Sequence, residues 1–129
     1  MGVHEQVETR LETGMATMLD VLAWEIELAG ARCVSLDAIV GELMQTIPVE
    51  HRARLIEGMH TVDLLAQHLT SLSAFARKLS EDAPADACVP VADALAGITL
   101  GALADRMATA FGAEETADTD AGAGDLDVF

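Results

Sequence analysis

The sequence predicts an all-α protein in which a long antiparallel helical hairpin and a shorter third helix dimerise into a four-helix-type bundle. Of its 129 residues, 51% are hydrophobic but only 3% are aromatic, so Leu, Ala, Val, Ile and Met must build the core. Along two stretches, apolar residues recur at steps of three and four, the spacing of helices packed lengthwise, with one extra step of four between Met18 and Ile26. Residues that favour strands do not alternate with polar ones over any long stretch.

The first element is a helix of roughly 40 residues that follows a polar N-terminus, residues 1–10, expected to fray. Gly30 is a possible break, because Gly costs about 1 kcal/mol relative to Ala inside a helix. Cys33 and Cys88 belong to no CxxC pair, and we expect both to be buried, reduced thiols. The apolar stripe of this helix comprises Leu11, Met15, Met18, Leu22, Ile26, Ala29, Cys33, Leu36, Val40, Leu43 and Ile47.

A second helix is expected from about Val49 to Leu79. Pro48 separates the two helices, since Pro disfavours helical geometry in the residue before it and suits the first turn of a new helix. So short a link requires the two helices to lie antiparallel. The stripe of the second helix comprises Leu55, Gly58, Val62, Leu65, Leu69, Leu72, Ala76 and Leu79.

The two stripes together hold more apolar surface than one partner helix covers. This excess predicts a homodimer, and the alternative is a monomeric three-helix bundle.

The remainder of the chain is predicted to be a loop, a third helix and a tail. Residues 80–90 contain two prolines and three acids, which indicates a loop or a short turn. The third helix should span about Val91–Phe111, and Gly112 should end it. This completes one helical domain over residues 11–112. Residues 113–129 include six acids and no base, a composition that favours disorder.

Charge and hydropathy exclude several classes of function. The formal net charge of −15 argues against binding to nucleic acid or anionic lipid, because both require clustered Lys and Arg. No apolar run reaches the roughly 18 to 20 residues of a membrane span, and the N-terminus lacks the features of a signal peptide. We therefore expect a cytoplasmic protein with protein or small-molecule partners.

The candidate site is a set of polar residues on the second helix, on the side turned away from the apolar stripe: His60, Asp63, Gln67 and Thr70. Residues three, four and seven apart stack on one side of a helix, so these side chains should lie together. A carboxylate and a carboxamide one turn apart can hold a cation of a partner and orient a water molecule. The simpler interpretation is a solvated surface with a Gln–Asp hydrogen bond. His51, His60 and His68 do not share a face with enough carboxylates for a metal site, so none is expected.

Two segments resemble the CheZ-type chemotaxis phosphatases. That family is a dimeric antiparallel helical hairpin with Asp and Gln four residues apart in the context Asp-Leu-Thr-Gly-Gln, and this chain has Asp63-Leu64-Leu65-Ala66-Gln67. The family also ends in an acidic linker and an acidic peptide that contains Leu and terminates in Phe. The counterpart here is Asp125-Leu126-Asp127-Val128-Phe129. Leu65 and Ala66 depart from the family's Thr-Gly, and this chain is much shorter.

The resemblance implies the dephosphorylation of a response regulator. Gln67 would position a water molecule for in-line attack on the regulator's aspartyl phosphate. Asp63 would pair with the regulator's active-site Lys, and His60 would lie in the contact surface. Asp125, Leu126, Asp127, Val128 and Phe129 would capture the regulator. The magnesium ion of that reaction belongs to the partner, so no cofactor or metal is expected on this chain.

Other functions remain open. His60 on a helical hairpin resembles the phosphoacceptor of histidine phosphotransfer domains, although Thr61 follows it where those domains have Glu or Asp. The chain could instead be a non-enzymatic interaction or scaffold protein. Its terminal peptide also resembles the Leu-x-Phe peptides that bind the bacterial sliding clamp, without their initial Gln.

Overall fold

The computed structural model describes residues 11–112, and most of them are helical. The predicted frayed N-terminus, residues 1–10, and the predicted tail, residues 113–129, lie outside the described residues. Two compact units are distinguished, one formed by residues 22–81 and the other, as far as it is described, by residues 11–21 and 82–112. The elements in chain order are β1 (Glu12–Gly14), α1 (Met15–Leu43), a 3-10 turn (Met44–Thr46), α2 (Val49–Asp82), β2 (Cys88–Pro90), α3 (Ala92–Ala96) and α4 (Gly101–Ala110).

The unit of residues 22–81 is an antiparallel hairpin of α1 and α2, which confirms the prediction of two long packed helices. Glu27 contacts Arg77 and Gly30 faces Leu69, so residue numbers rise along one helix as they fall along the other. α1 runs through Gly30 without a break and ends at Leu43, earlier than the predicted stripe. α2 begins at Val49, as predicted.

The link between α1 and α2 is closed by short hydrogen bonds. The Thr46 hydroxyl donates to the Leu43 carbonyl at 2.8 Å, and the Ile47 amide donates to the Met44 carbonyl at 3.2 Å. Arg52 Nε donates to the Ile47 carbonyl at 3.0 Å, tying the first turn of α2 to the link. These bonds satisfy backbone groups that the end of a helix leaves without partners.

The core of the hairpin is a seam of half-buried and buried residues at alternating steps of three and four on both helices, which we call the inner seam. Ala23 is fully buried in it, and a Cβ placed at Gly30 would lie 3.7 Å from Leu69 Cβ. Small residues therefore let the helices approach closely. The inner seam comprises Ala23, Ile26, Gly30, Cys33, Asp37 and Val40 of α1, and Leu55, Met59, Val62, Ala66, Leu69, Ser73 and Ala76 of α2.

The inner seam differs from the predicted stripes by a rotation of both helices. Along Leu22–Leu43 and Leu55–Leu79, every second predicted position lies in it, but the alternate ones, which the sequence placed in the core, are exposed. Each exposed position, except the last one on each helix, comes one residue before an inner-seam position. Since both helices are right-handed and antiparallel, these residues share one side of the hairpin. We call this surface the leucine face: Leu22, Ala29, Leu36 and Leu43 of α1, and Gly58, Leu65, Leu72 and Leu79 of α2.

The second unit includes a short sheet that the sequence analysis did not predict. β1 and β2 pair antiparallel, with Thr13 opposite Val89. The Met15 amide donates to the Ala87 carbonyl at 2.9 Å, and the Val91 amide donates to the Leu11 carbonyl at 3.0 Å. The start of α1 is thereby fastened to the segment that follows α2.

The predicted third helix is wrong in its extent, because residues 97–100 separate two shorter helices, α3 and α4. Gly97 and Gly101 lie at the two ends of the break. Because glycine is a weak helix former, an interruption of the helix there costs little free energy. Val91 and Phe111 are buried. Gly112 follows α4 with a φ of +97°, and its amide donates to the Thr109 carbonyl, as expected of a glycine that ends a helix.

The expectation that both cysteines are buried is also wrong. Cys88 is exposed on β2 and Cys33 is half-buried in the inner seam. Within residues 11–112, no helix is both long enough and apolar enough to cross a membrane.

Candidate functional site

The structure brings three of the predicted site residues together on α2. His60, Asp63 and Gln67 are exposed and line an open depression of about 370 Å³, with Thr61 and Leu64 completing its lining. Thr70, the fourth predicted residue, is exposed further along the same side. We call His60, Asp63, Gln67 and Thr70 the polar face.

The polar face borders the inner seam on the side opposite to the leucine face. Each of its residues comes one position after an inner-seam residue, whereas the leucine-face residues other than Leu43 and Leu79 come one position before. The corresponding positions on α1 are mostly small. They are Ala31, Val34, Ala38 and Gly41, all exposed. Small side chains on the neighbouring helix leave the carboxylate of Asp63 and the carboxamide of Gln67 uncovered.

Asp37 is a site residue that the sequence analysis missed. It lies in the inner seam of α1, and its carboxyl group shares a hydrogen bond with the carboxyl group of Asp63 on α2. Its Oδ1 atom is buried and accepts no hydrogen bond from any of the described residues. Two ionised carboxylates cannot hydrogen-bond to each other, so the hydrogen bond with Asp63 favours the protonated form of Asp37.

The surroundings of Asp37 raise its pKa. The hydrogen bond with Asp63 raises the pKa of Asp37 above its ordinary value of 3.8, and desolvation and the negative charge of Asp63 raise it further. The positive charge that His60 can carry lowers the pKa of Asp37 and so opposes these effects. The three groups form one electrostatic cluster that joins α1 to the polar face.

An ion pair joins α1 and α2 further along the hairpin, on the side of the polar face. Arg77 donates from Nε and Nη2 to the two carboxylate oxygens of Glu27, both at 2.9 Å. The hydrogen bond from Arg77 is the main reason that the pKa of Glu27 lies below its ordinary value of 4.5. This bidentate geometry is the strong form of an Arg–carboxylate pair, and it agrees with the antiparallel register of α1 and α2.

Two other predictions about sites concern different parts of the chain. The predicted capture peptide, Asp125, Leu126, Asp127, Val128 and Phe129, lies outside the described residues. Within residues 11–112, no group of three or more His, Cys, Asp or Glu side chains is arranged to hold a metal ion.

Comparison with known proteins identifies a family but no activity. A family model described as a domain of unknown function (DUF8776) matches residues 11–129. The chain belongs to this family. The match includes both the polar face and the terminal peptide, so both features lie within the DUF8776 region. Searches of curated proteins and of solved structures found no match.

The chemistry available to this DUF8776 chain follows from the polar face. Gln67 offers a carboxamide that can both donate and accept hydrogen bonds, and Asp63 offers a carboxylate one helical turn away. The depression is open, so these groups are accessible to solvent.

Proposed function

We propose that this protein is a homodimeric, cytoplasmic module that binds the receiver domain of a two-component response regulator and accelerates hydrolysis of its aspartyl phosphate. The observation that carries the proposal is the common exposure of His60, Asp63 and Gln67 in one depression on a long helix. A rigid helix suits this role, because a group that positions water must be held in place before the partner arrives.

Gln67 has the central role in the proposed reaction. Its carboxamide would enter the receiver's active site and orient a water molecule toward phosphorus. As the water attacks, the bond between phosphorus and the receiver's aspartate breaks, which releases inorganic phosphate and the free carboxylate. Positioning a nucleophile in this way requires no metal from this chain.

Asp63 and His60 would position the partner. Asp63 would accept a hydrogen bond from a Lys of the receiver, and that Lys would encounter a pair of acidic groups, since Asp37 lies beside Asp63. His60 lines the same depression and would lie at the border of the contact. The exposed small residues of α1, including Ala31 and Ala38, would allow the receiver to lie flat across both helices.

The terminal peptide, Asp125–Phe129, would capture the receiver. A tether between the peptide and the polar face raises the local concentration of a weakly held partner, so the two contacts together bind more tightly than either alone.

The proposed homodimer is supported by the exposed apolar surface of the hairpin. Within the described residues the only apolar side chains classed as buried are Ala23, Ala76, Val91 and Phe111. Fourteen large apolar residues between positions 11 and 112 are exposed, more than the scattered singles that a monomer tolerates. A second hairpin would cover much of this surface.

The decisive experiment measures phosphate release from a panel of phosphorylated receiver domains with and without the protein. Wild type should accelerate release from at least one receiver, and Gln67→Ala should reduce that acceleration about tenfold or more while binding persists. A chain that ends at Gly112 should require a higher protein concentration for the same rate. The matched control is Gln45→Ala, since Gln45 is also exposed but lies in the 3-10 turn.

The remaining outcomes separate the alternatives. Binding to a receiver without any change in phosphate release would leave an interaction module. Transfer of the phosphoryl group to His60 would identify a phosphotransfer protein. Binding to no receiver would reject the proposal.

A further inference from the structure

The leucine face is a continuous apolar surface along the hairpin. It extends from Leu22 to Leu43 on α1, about 30 Å at 1.5 Å per residue. Its six leucines are between 38% and 52% exposed, and none of its positions is acidic in a chain with 22 acids. The register of the hairpin places Leu36 near the level of Leu65, and Ala29 near the level of Leu72.

We infer that a second copy of this chain covers the leucine face, with leucine face packed against leucine face, so that two hairpins form a four-helix bundle whose polar faces point outward. This inference names the surface of the proposed homodimer and therefore rests on that part of the proposed function.

The area of the leucine face favours a dimer interface over an exposed surface. Six half-exposed leucines, together with the exposed neighbours Ile39 and Phe75, leave on the order of 600 Å² of apolar surface open. That is at the upper limit of what a typical monomer exposes, and it approaches the roughly 800 Å² per partner that a stable interface buries.

The shape of the leucine face is self-complementary. Gly58 has no side chain, and an almost entirely apolar groove of about 210 Å³ lies there, lined by Leu36, Asp37, Val40, Leu55, Gly58, Met59 and Val62. A Cβ placed at Gly58 would meet no atom within 4 Å. Such a groove can receive a leucine from a facing helix, as in knobs-into-holes packing. Each copy thus provides both projecting leucines and a hole of suitable chemistry.

The tail of the same chain is a poor candidate for covering this face. Residues 113–129 contain six acids, and their only large apolar residues are Leu126, Val128 and Phe129. These three lie within four positions of the chain, too short a segment to cover a surface about 30 Å long.

The inferred arrangement has a consequence for the proposed reaction. Because the polar face borders the inner seam on the opposite side, the dimer would leave both polar faces open. Each copy could then bind its own receiver domain, and disruption of the dimer would leave the residues of each site intact.

The test compares charged substitutions on the two sides of the hairpin by light scattering at micromolar concentration. Wild type should have twice the chain mass of 13.5 kDa. Leu36→Glu and Leu65→Glu should each shift the protein to the monomer mass, because a buried carboxylate would lack a partner. The matched controls are Val34→Glu and Ile56→Glu, whose side chains are 62% and 49% exposed outside the leucine face, and they should remain dimers.

A measurement on the wild-type protein tests the same inference if the charged variants fail to fold. Carbene footprinting at high and low protein concentration should show Leu36 and Leu65 becoming more reactive on dilution, while Val34 and Ile56 do not change. A monomeric wild type would overturn the proposed dimer and this inference together. A dimer that Val34→Glu disrupts and Leu36→Glu does not would overturn the inference alone.

Discussion

The carboxyl groups of Asp37 on α1 and Asp63 on α2 share a hydrogen bond across the hairpin, and this pair connects the inner seam with the polar face. The hydrogen bond with Asp63 raises the pKa of Asp37, and desolvation and the negative charge of Asp63 raise it further. A group whose pKa is higher in the folded state stabilises the fold most at low pH. For Asp37 this contribution is lost as the pH rises from 3.8, the ordinary pKa of the carboxyl group, through its higher pKa in the folded state.

We therefore expect Asp37→Asn to stabilise the hairpin at neutral pH. The carboxamide of Asn can donate a hydrogen bond to Asp63 without a titrating proton. The variant should therefore not lose the stability that wild type loses when Asp37 ionises. The measurement is urea unfolding across an acid-to-neutral pH series at one protein concentration. Glu42→Gln, an exposed acid on α1, is the control and should preserve the wild-type pH dependence. Parallel curves for wild type and Asp37→Asn would contradict the pairing.

The stability that the ion pair between Glu27 and Arg77 contributes should depend on pH in the opposite direction. The pKa of Glu27 is below 4.5, so its contribution is present above that pH and is lost as pH falls through the folded value. Both side chains are about 40% exposed, and a double-mutant cycle with Glu27→Gln and Arg77→Ala should give a coupling of about 1 kcal/mol or less, weakened by salt. Lys78 and Glu81 form an exposed pair at 3.4 Å, and a cycle on this pair should give almost no coupling energy. Equal coupling in the two pairs would contradict a special role for Glu27.

The hairpin was predictable because its signal is repeated over many residues. Alternating steps of three and four along α1 and α2, with Pro48 between them, specify two helices and a turn. The rotation of each helix was less well specified, since each has a broad apolar stripe. Leu65 and Leu69 are equally apolar, yet only Leu69 lies in the inner seam. Hydrophobicity alone does not distinguish a surface that packs within the chain from one that remains exposed.

The candidate site was predictable only on α2. Periodicity placed Asp63 and Gln67 on the exposed side, where the structure has them. Asp37 was missed because the predicted stripe passed through Leu36. A path from Cys33 to Asp37 to Val40 has the same spacing, and it would have identified an acid among apolar positions. The strands β1 and β2 have three residues each, too few for alternation to show.

Gly30 tests how closely the two helices approach. A Cβ at this position would lie 3.7 Å from Leu69 Cβ, an ordinary contact, so Gly30→Ala should stabilise the protein by about 0.5–1 kcal/mol through helix propensity. A Cβ at Gly41 would meet no atom within 4 Å, so Gly41→Ala should raise the stability by a similar amount. Gly30→Leu should instead cost about 1–3 kcal/mol, because the longer side chain must push Leu69 away. Urea unfolding of the three variants measures this, and a stable Gly30→Leu variant would contradict the close approach.

Ala76 and Ala74 provide the sharpest test of the rotation of α2, because they are the same residue type half a turn apart. Ala76 is 5% exposed in the inner seam, and a leucine there would add three carbon atoms to a packed site, at a cost of about 1–3 kcal/mol. Ala74 is exposed, and Ala74→Leu should change stability by no more than about 0.5 kcal/mol. Urea unfolding with circular dichroism detection compares the two variants. If Ala74→Leu were the more destabilising, α2 would face α1 with a different side, and the exposure of the polar face would have to be reassigned.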